Sequence, residues 1–156
     1  MSSHSIKIDY SEPIPQMIER LKKEHREFET KLNRAQDSIS TSDEDELPIV
    51  AMDSLNQLAD PIIRHAVEEE ARIMRVIIQR VRNESAESIT IMQEHNSVLE
   101  FFNDKLDKIV KEKGEPANNR KGRDQIQEFI QNLKVHFDEE EKIVFPLALK
   151  ADSLMQ

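Results

Sequence analysis

The chain has no cysteine. That absence excludes disulfides, thiolate zinc sites, iron–sulfur ligation and cysteine nucleophiles together. It also permits a reducing compartment, and the expected location is the cytoplasm. Among 156 residues there are only two glycines, one tyrosine and no tryptophan. Two glycines leave no room for a phosphate-cradling loop or a dinucleotide fingerprint. So little glycine and so few aromatic residues also argue against a β-sandwich or barrel. No apolar run approaches the ~20 residues needed to cross a bilayer. The first fifteen residues lack the basic-then-apolar order of a secretory signal. Basic residues are outnumbered 22 to 31, for a formal net charge of −9. Such a field repels phosphate, so neither nucleic acid nor an anionic membrane is an expected partner. The short basic spot at Arg120, Lys121 and Arg123 reads as a solvated loop.

What the chain has in quantity is Glu, Lys, Gln and Leu at helical spacing. The length suits one domain. Residues 1–13 read as a polar tail that includes His4, residues 14–150 as the folded bundle, and residues 151–156 as a second tail. The first stripe is Ile14, Ile18, Leu21, His25, Phe28, Leu32 and Ala35, alternately four and three residues apart. It predicts a helix over about 14–37. A Ser- and acid-rich loop follows. The second helix is expected over about 47–82, with the stripe Leu55, Leu58, Ile62, His65, Glu69, Ile73 and Val76. Pro61 interrupts it, and a kink one turn before His65 is expected. The third helix is expected over 86–113, with Met92, His95, Leu99, Phe102, Leu106 and Ile109 inward. Gly114, Pro116 and Gly122 mark a loop. The fourth helix is expected over 123–145, with Ile126, Phe129, Leu133, His136, Glu140, Ile143 and Leu147 inward and Pro146 ending or bending it. Four long helices with short connections predict an all-α, antiparallel, up-down-up-down four-helix bundle.

Each inward stripe carries one histidine: His25, His65, His95 and His136. In an antiparallel bundle all four fall within about a turn of one height. Two stripes also carry a glutamate one turn after the histidine, Glu69 and Glu140. Their neighbours Glu68 and Glu139 fall well off the stripe at ~100° per residue. Glu24 and Glu94 each precede a histidine and point about 100° away from it, so surface ion pairing is expected of them. A lone core histidine is usually just a packed residue. A buried carboxylate is costly unless it is paired or bound to a cation. Six polar groups aimed at one point therefore predict a metal site rather than a metal-free polar network. Imidazole and carboxylate without thiolate suit iron, manganese or zinc. Six ligands exceed the four of a tetrahedral zinc, so a two-metal site is the natural reading, with Glu69 and Glu140 bridging. An oxo or hydroxo bridge would fill further positions and still leave room for dioxygen, peroxide, nitric oxide or water.

These segments resemble the hemerythrin-like (HHE cation-binding) domains. The resemblance rests on Glu24-His25, on His65-Ala-Val-Glu-Glu69-Glu70, on Glu94-His95, and on the run from His136 through Glu140-Glu141 to Phe145-Pro146. It covers about residues 14–148. It implies a four-helix bundle around a non-haem di-iron centre. His25, His65, His95 and His136 would be terminal ligands, and Glu69 and Glu140 bridging carboxylates. The sequence departs from the oxygen-carrying members at Leu99, where they place a second third-helix histidine. That departure favours reactive or sensing chemistry over clean storage of dioxygen.

The expected function is a di-iron protein, more a binder than a dedicated enzyme, that binds, senses or reacts with dioxygen, peroxide or nitric oxide, or handles iron. The alternatives are a di-iron oxidase or peroxidase, and an interaction bundle with a relict or zinc site. A small molecule and a separate signalling or redox partner are the expected partners of a monomer.

Overall fold

The computed structural model describes residues 6–154; His4 lies outside them. Among the described residues every regular element is helical. The first helix is α1 (Ile14–Ser40), begun by Pro13 and Pro15, whose missing N–H groups fall where a helix has no partner for them. The second helix is α2 (Ile49–Glu68), a π-helical turn (Glu69–Met74) and α3 (Arg75–Arg80). The third is α4 (Ala86–Gln93), α5 (His95–Glu100), a π turn (Phe101–Lys105) and α6 (Leu106–Glu112). The fourth is α7 (Pro116–Glu139), a π turn (Glu140–Val144) and α8 (Phe145–Ser153). Together they form a four-helix bundle.

α2 is continuous through Pro61, whose ring sits on the exposed side of the helix. The fourth helix begins earlier than its composition implies. Pro116 takes the first helical position, and Gly122 lies inside α7 rather than ahead of it. The reason is close approach: a Cβ at Gly122 would stand 2.9 Å from Ile109 Cγ2, so glycine lets α7 pack against α6. Gly114 has φ 121°, and it turns the chain between the third and fourth helices. Arg123 ties down the α1–α2 connection by donating to Ile39 O, Ser42 Oγ and Glu46 O.

The π turns correct the expected inner faces. After His95 the backbone tightens, with Ser97 N–H donating to Glu94 O three residues back. Val98 and Phe101 therefore become the buried positions, and Leu99 and Phe102 are only half-buried. The wide turn at 101–105 then returns the face to Leu106 and Ile109. In the fourth helix the wide turn moves burial from Ile143 and Leu147 to Val144 and Ala148. It also carries the helix past Pro146, which sits in the first turn of α8. α8 continues to Ser153, and Ala151 is fully buried.

Two apolar clusters fill the bundle. One includes Phe28, Leu32, Leu55, Phe101, Ile126 and Leu133. The other includes Ile18, Leu21, Ile73, Ile77, Val144 and Phe145. The inward histidines and glutamates lie between them along every helix.

Candidate metal centre

The packing brings all six expected residues together. His25, Glu69 and Glu140 are fully buried, and His65, His95 and His136 nearly so. They form two four-residue groups that could each hold a metal ion. One is His25, His65, Glu69 and Glu140, and the other is Glu69, His95, His136 and Glu140. Within each group the ligand atoms lie within 4.8 Å of one another. The glutamates belong to both groups because each carboxylate faces both ways. Glu69 turns Oε2 to His65 Nε2 at 3.0 Å and Oε1 to His95 Nε2 at 3.1 Å. Glu140 turns Oε1 to His25 Nε2 at 2.9 Å and Oε2 to His136 Nε2 at 3.1 Å. A π turn begins at each of these glutamates, immediately after the helix that carries the histidine. Such widened turns are common at functional sites.

The outer ring nitrogens decide what the inner ones offer. His25 Nδ1 stands 2.7 Å from Glu141, His65 Nδ1 2.8 Å from Glu24, His95 Nδ1 3.1 Å from Glu70, and His136 Nδ1 2.7 Å from Glu94. An ionised carboxylate only accepts, so each Nδ1 must carry the hydrogen. A neutral imidazole then presents its Nε2 lone pair inward. Four lone-pair nitrogens and four carboxylate oxygens face one another with no donor among them. His25 Nε2 and His65 Nε2 are 3.0 Å apart. Glu69 Oε1, both oxygens of Glu140 and His136 Nε2 are buried without a hydrogen-bond partner. Such a centre is satisfied by cations or by protons. The donor set fits a metal.

Without metal, protons take that place. Burial pulls the His65 imidazole down, but Glu69, Glu24 and Glu140 more than reverse this and push it up to about 10. His95 is likewise lowered by burial and raised further by Glu140 and Glu69, to about 11. His136 is raised for the same reasons. Burial raises the Glu140 carboxyl, yet the surrounding histidines hold it well below the usual carboxylate range.

The four outer glutamates correct the sequence reading, which assigned Glu24 and Glu94 to surface ion pairs. A residue 100° off the inward stripe faces the neighbouring helix, and there each finds a histidine: Glu24 meets His65 and Glu94 meets His136. Glu70 and Glu141, each next to an inward glutamate, reach His95 and His25. The available signal was repetition. Glutamate before the first histidine and a run of three glutamates after the second recur in both halves of the chain. Arg20 extends the network, donating to Glu24 at 2.7 Å and to buried Glu68 at 2.7 Å. Arg26 donates to Glu141. Phe28 and Phe137 lie against the histidines, while Phe129 stacks on Phe101 and Phe102 meets both edge-on. Phe145 lies 5.8 Å from the His25 ring.

No helix is long and apolar enough to cross a membrane among the described residues. No curated protein and no solved structure matches the chain. Residues 88–155, which span the third and fourth helices and include His95, His136 and Glu140, match the model of the hemerythrin HHE cation binding domain. That stretch thus resembles a hemerythrin-type cation-binding domain, and the buried histidine and glutamate groups of the four-helix bundle fit a metal site.

Proposed function

We propose that the protein holds two iron ions, one at each four-residue group, with His25, His65, His95 and His136 as terminal ligands and Glu69 and Glu140 bridging. The observation that carries this reading is the sharing of both glutamates between two buried groups of identical composition. A single ion would leave half of the inward lone pairs unsatisfied. Bound iron would supply redox chemistry and open positions for dioxygen, peroxide or nitric oxide. The protein's own part is to fix the imidazoles through the outer glutamates, to bridge through the inner ones, and to keep bulk water out with Phe28, Phe137 and Phe145.

The reading is of a protein that binds or senses such a molecule, or handles iron, in the cytoplasm. A signal or electron would pass to a separate partner. A dedicated oxidase or peroxidase is the second reading, favoured by the absence of a ligating side chain at both Val98 and Leu99, which would leave a position free for turnover.

The test is an anaerobic ferrous titration followed by exposure to dioxygen, peroxide and nitric oxide. Saturation at two irons per chain, with one stoichiometric spectral response, supports binding or sensing. Sustained turnover under reductant supports the enzyme. Saturation at one iron, or none, rejects the two-metal reading.

A further inference from the structure

The two halves of the site match in their ligands and differ in what surrounds them. In chain order, Glu24, His25, His65, Glu69 and Glu70 correspond to Glu94, His95, His136, Glu140 and Glu141. The hydrogen bonds obey the same two-fold relation. Glu24 serves His65 as Glu94 serves His136, and Glu141 serves His25 as Glu70 serves His95.

The relation fails at the aromatic residues. Phe28, three residues after His25, corresponds to Val98, three after His95. Phe137, next after His136, corresponds to Ala66, next after His65. Phe145, nine after His136, corresponds to Met74, nine after His65. All six are buried. The three rings enclose one pair of histidines. Phe137 stacks on His25 at 4.2 Å, Phe145 lies parallel at 5.8 Å, and Phe28 meets His65 edge-on at 5.3 Å. The other pair has valine, alanine and methionine at the matching positions.

A groove borders each pair, and only one of the two grooves reaches a histidine. A groove of about 440 Å³ runs between the third and fourth helices, walled by Val98, Phe101, Phe129, Leu133 and His136. The groove beside the first pair is larger, about 670 Å³, but it is lined by Arg20, Glu24, Phe28 and Glu68, and neither His25 nor His65 reaches it.

The anchors differ in the same sense. Arg20, five before His25, corresponds to Thr90, and Arg26, next after His25, corresponds to Asn96. Glu24 and Glu141 are therefore each held by a guanidinium. The side chains of Glu70 and Glu94 are 56% and 43% exposed and have no Lys or Arg partner among the described ion pairs. The carboxylates behind the first pair of imidazoles are anchored by arginine, and those behind the second pair are not.

We propose that a small ligand, a diatomic gas or a triatomic anion, binds the metal position held by His95 and His136, reached through the groove beside Val98, and that three phenylalanine rings close the position held by His25 and His65. The inference rests on the two-metal reading above. A close-packed aromatic wall admits no extra atoms without displacement, whereas smaller side chains beside a groove leave room.

The probe is azide, titrated into the full-length protein loaded with ferric iron and followed by absorbance, with metal counted in the same sample. Val98→Phe places beside His136 the ring that Phe28 places beside His65. It should weaken azide binding about tenfold or more, the scale of one overpacked side chain, with both metals retained. Phe28→Val should leave azide affinity within about threefold of wild type, since Phe137 and Phe145 still cover His25 and the ligand binds at the other position. Unchanged affinity in Val98→Phe, or a tenfold change in Phe28→Val, overturns the proposal. If Val98→Phe does not fold, Phe28→Val decides alone by the same criterion. A wild-type sample holding fewer than two metals rejects the two-metal reading itself, before any azide is added.

Discussion

His65 donates through Nδ1 to Glu24, which also accepts from Arg20, so one imidazole is oriented by a chain of two residues from another helix. Such outer partners fix tautomer and ring angle, and their loss commonly costs about 10–100-fold in metal affinity. Glu24→Gln should therefore weaken metal binding by a factor in that range while leaving the helical circular dichroism unchanged. A competition titration against a chelator reads the effect. Unchanged affinity would mean that Glu24 only decorates the surface. The six inward residues were legible at this scale because burial and helical angle select them one helix at a time. Glu70 and Glu141 were not, because their partners lie on neighbouring helices and a single stripe carries no information about its neighbour.

At the scale of the element, stripes predicted four helices, and four are present. Their boundaries moved where side-chain pattern and backbone pitch part company. Val98 replaces Leu99 as a core residue, and Val144 replaces Ile143, because tight and wide turns shift the inward face by one residue. No propensity marks a π turn, so these shifts were not readable from spacing. Pro61 is a sharper case. It lies exposed within α2, where it cannot donate to the carbonyl one turn back. Pro61→Ala restores that bond and should stabilise the protein by about 1–3 kcal/mol, less whatever proline gains by restricting the unfolded chain. Urea denaturation of metal-free samples measures it. A loss of stability would mean that the pyrrolidine ring makes a needed contact.

Over the whole molecule, the centre couples folding to protons and to metal. His65 and His95 carry folded-state values of about 10 and 11 against an ordinary 6.5. A raised histidine stabilises the folded state fully below its unfolded value and loses that contribution as pH rises through the folded one. Metal-free protein should therefore become less stable as pH climbs from about 6.5 towards 11, a trend that urea midpoints at several pH values would reveal. Glu140, held low, adds stability that is present above the ordinary carboxylate range and lost as pH falls below it. Metal must displace the inward protons, so its affinity should rise over the same alkaline window and its binding should release protons near pH 7. Calorimetry in two buffers of different ionisation enthalpy counts them. A flat profile with no release would mean that the metal-free histidines are already neutral.

The central claim is that two metals share Glu69 and Glu140. Anomalous diffraction from iron-loaded crystals, collected on either side of the iron edge, tests it most directly. The account predicts two iron peaks within about 4 Å of each other, one beside His25 and His65 and one beside His95 and His136, with a carboxylate oxygen of each shared glutamate on each peak. A single peak, or iron bound away from these six residues, would contradict it.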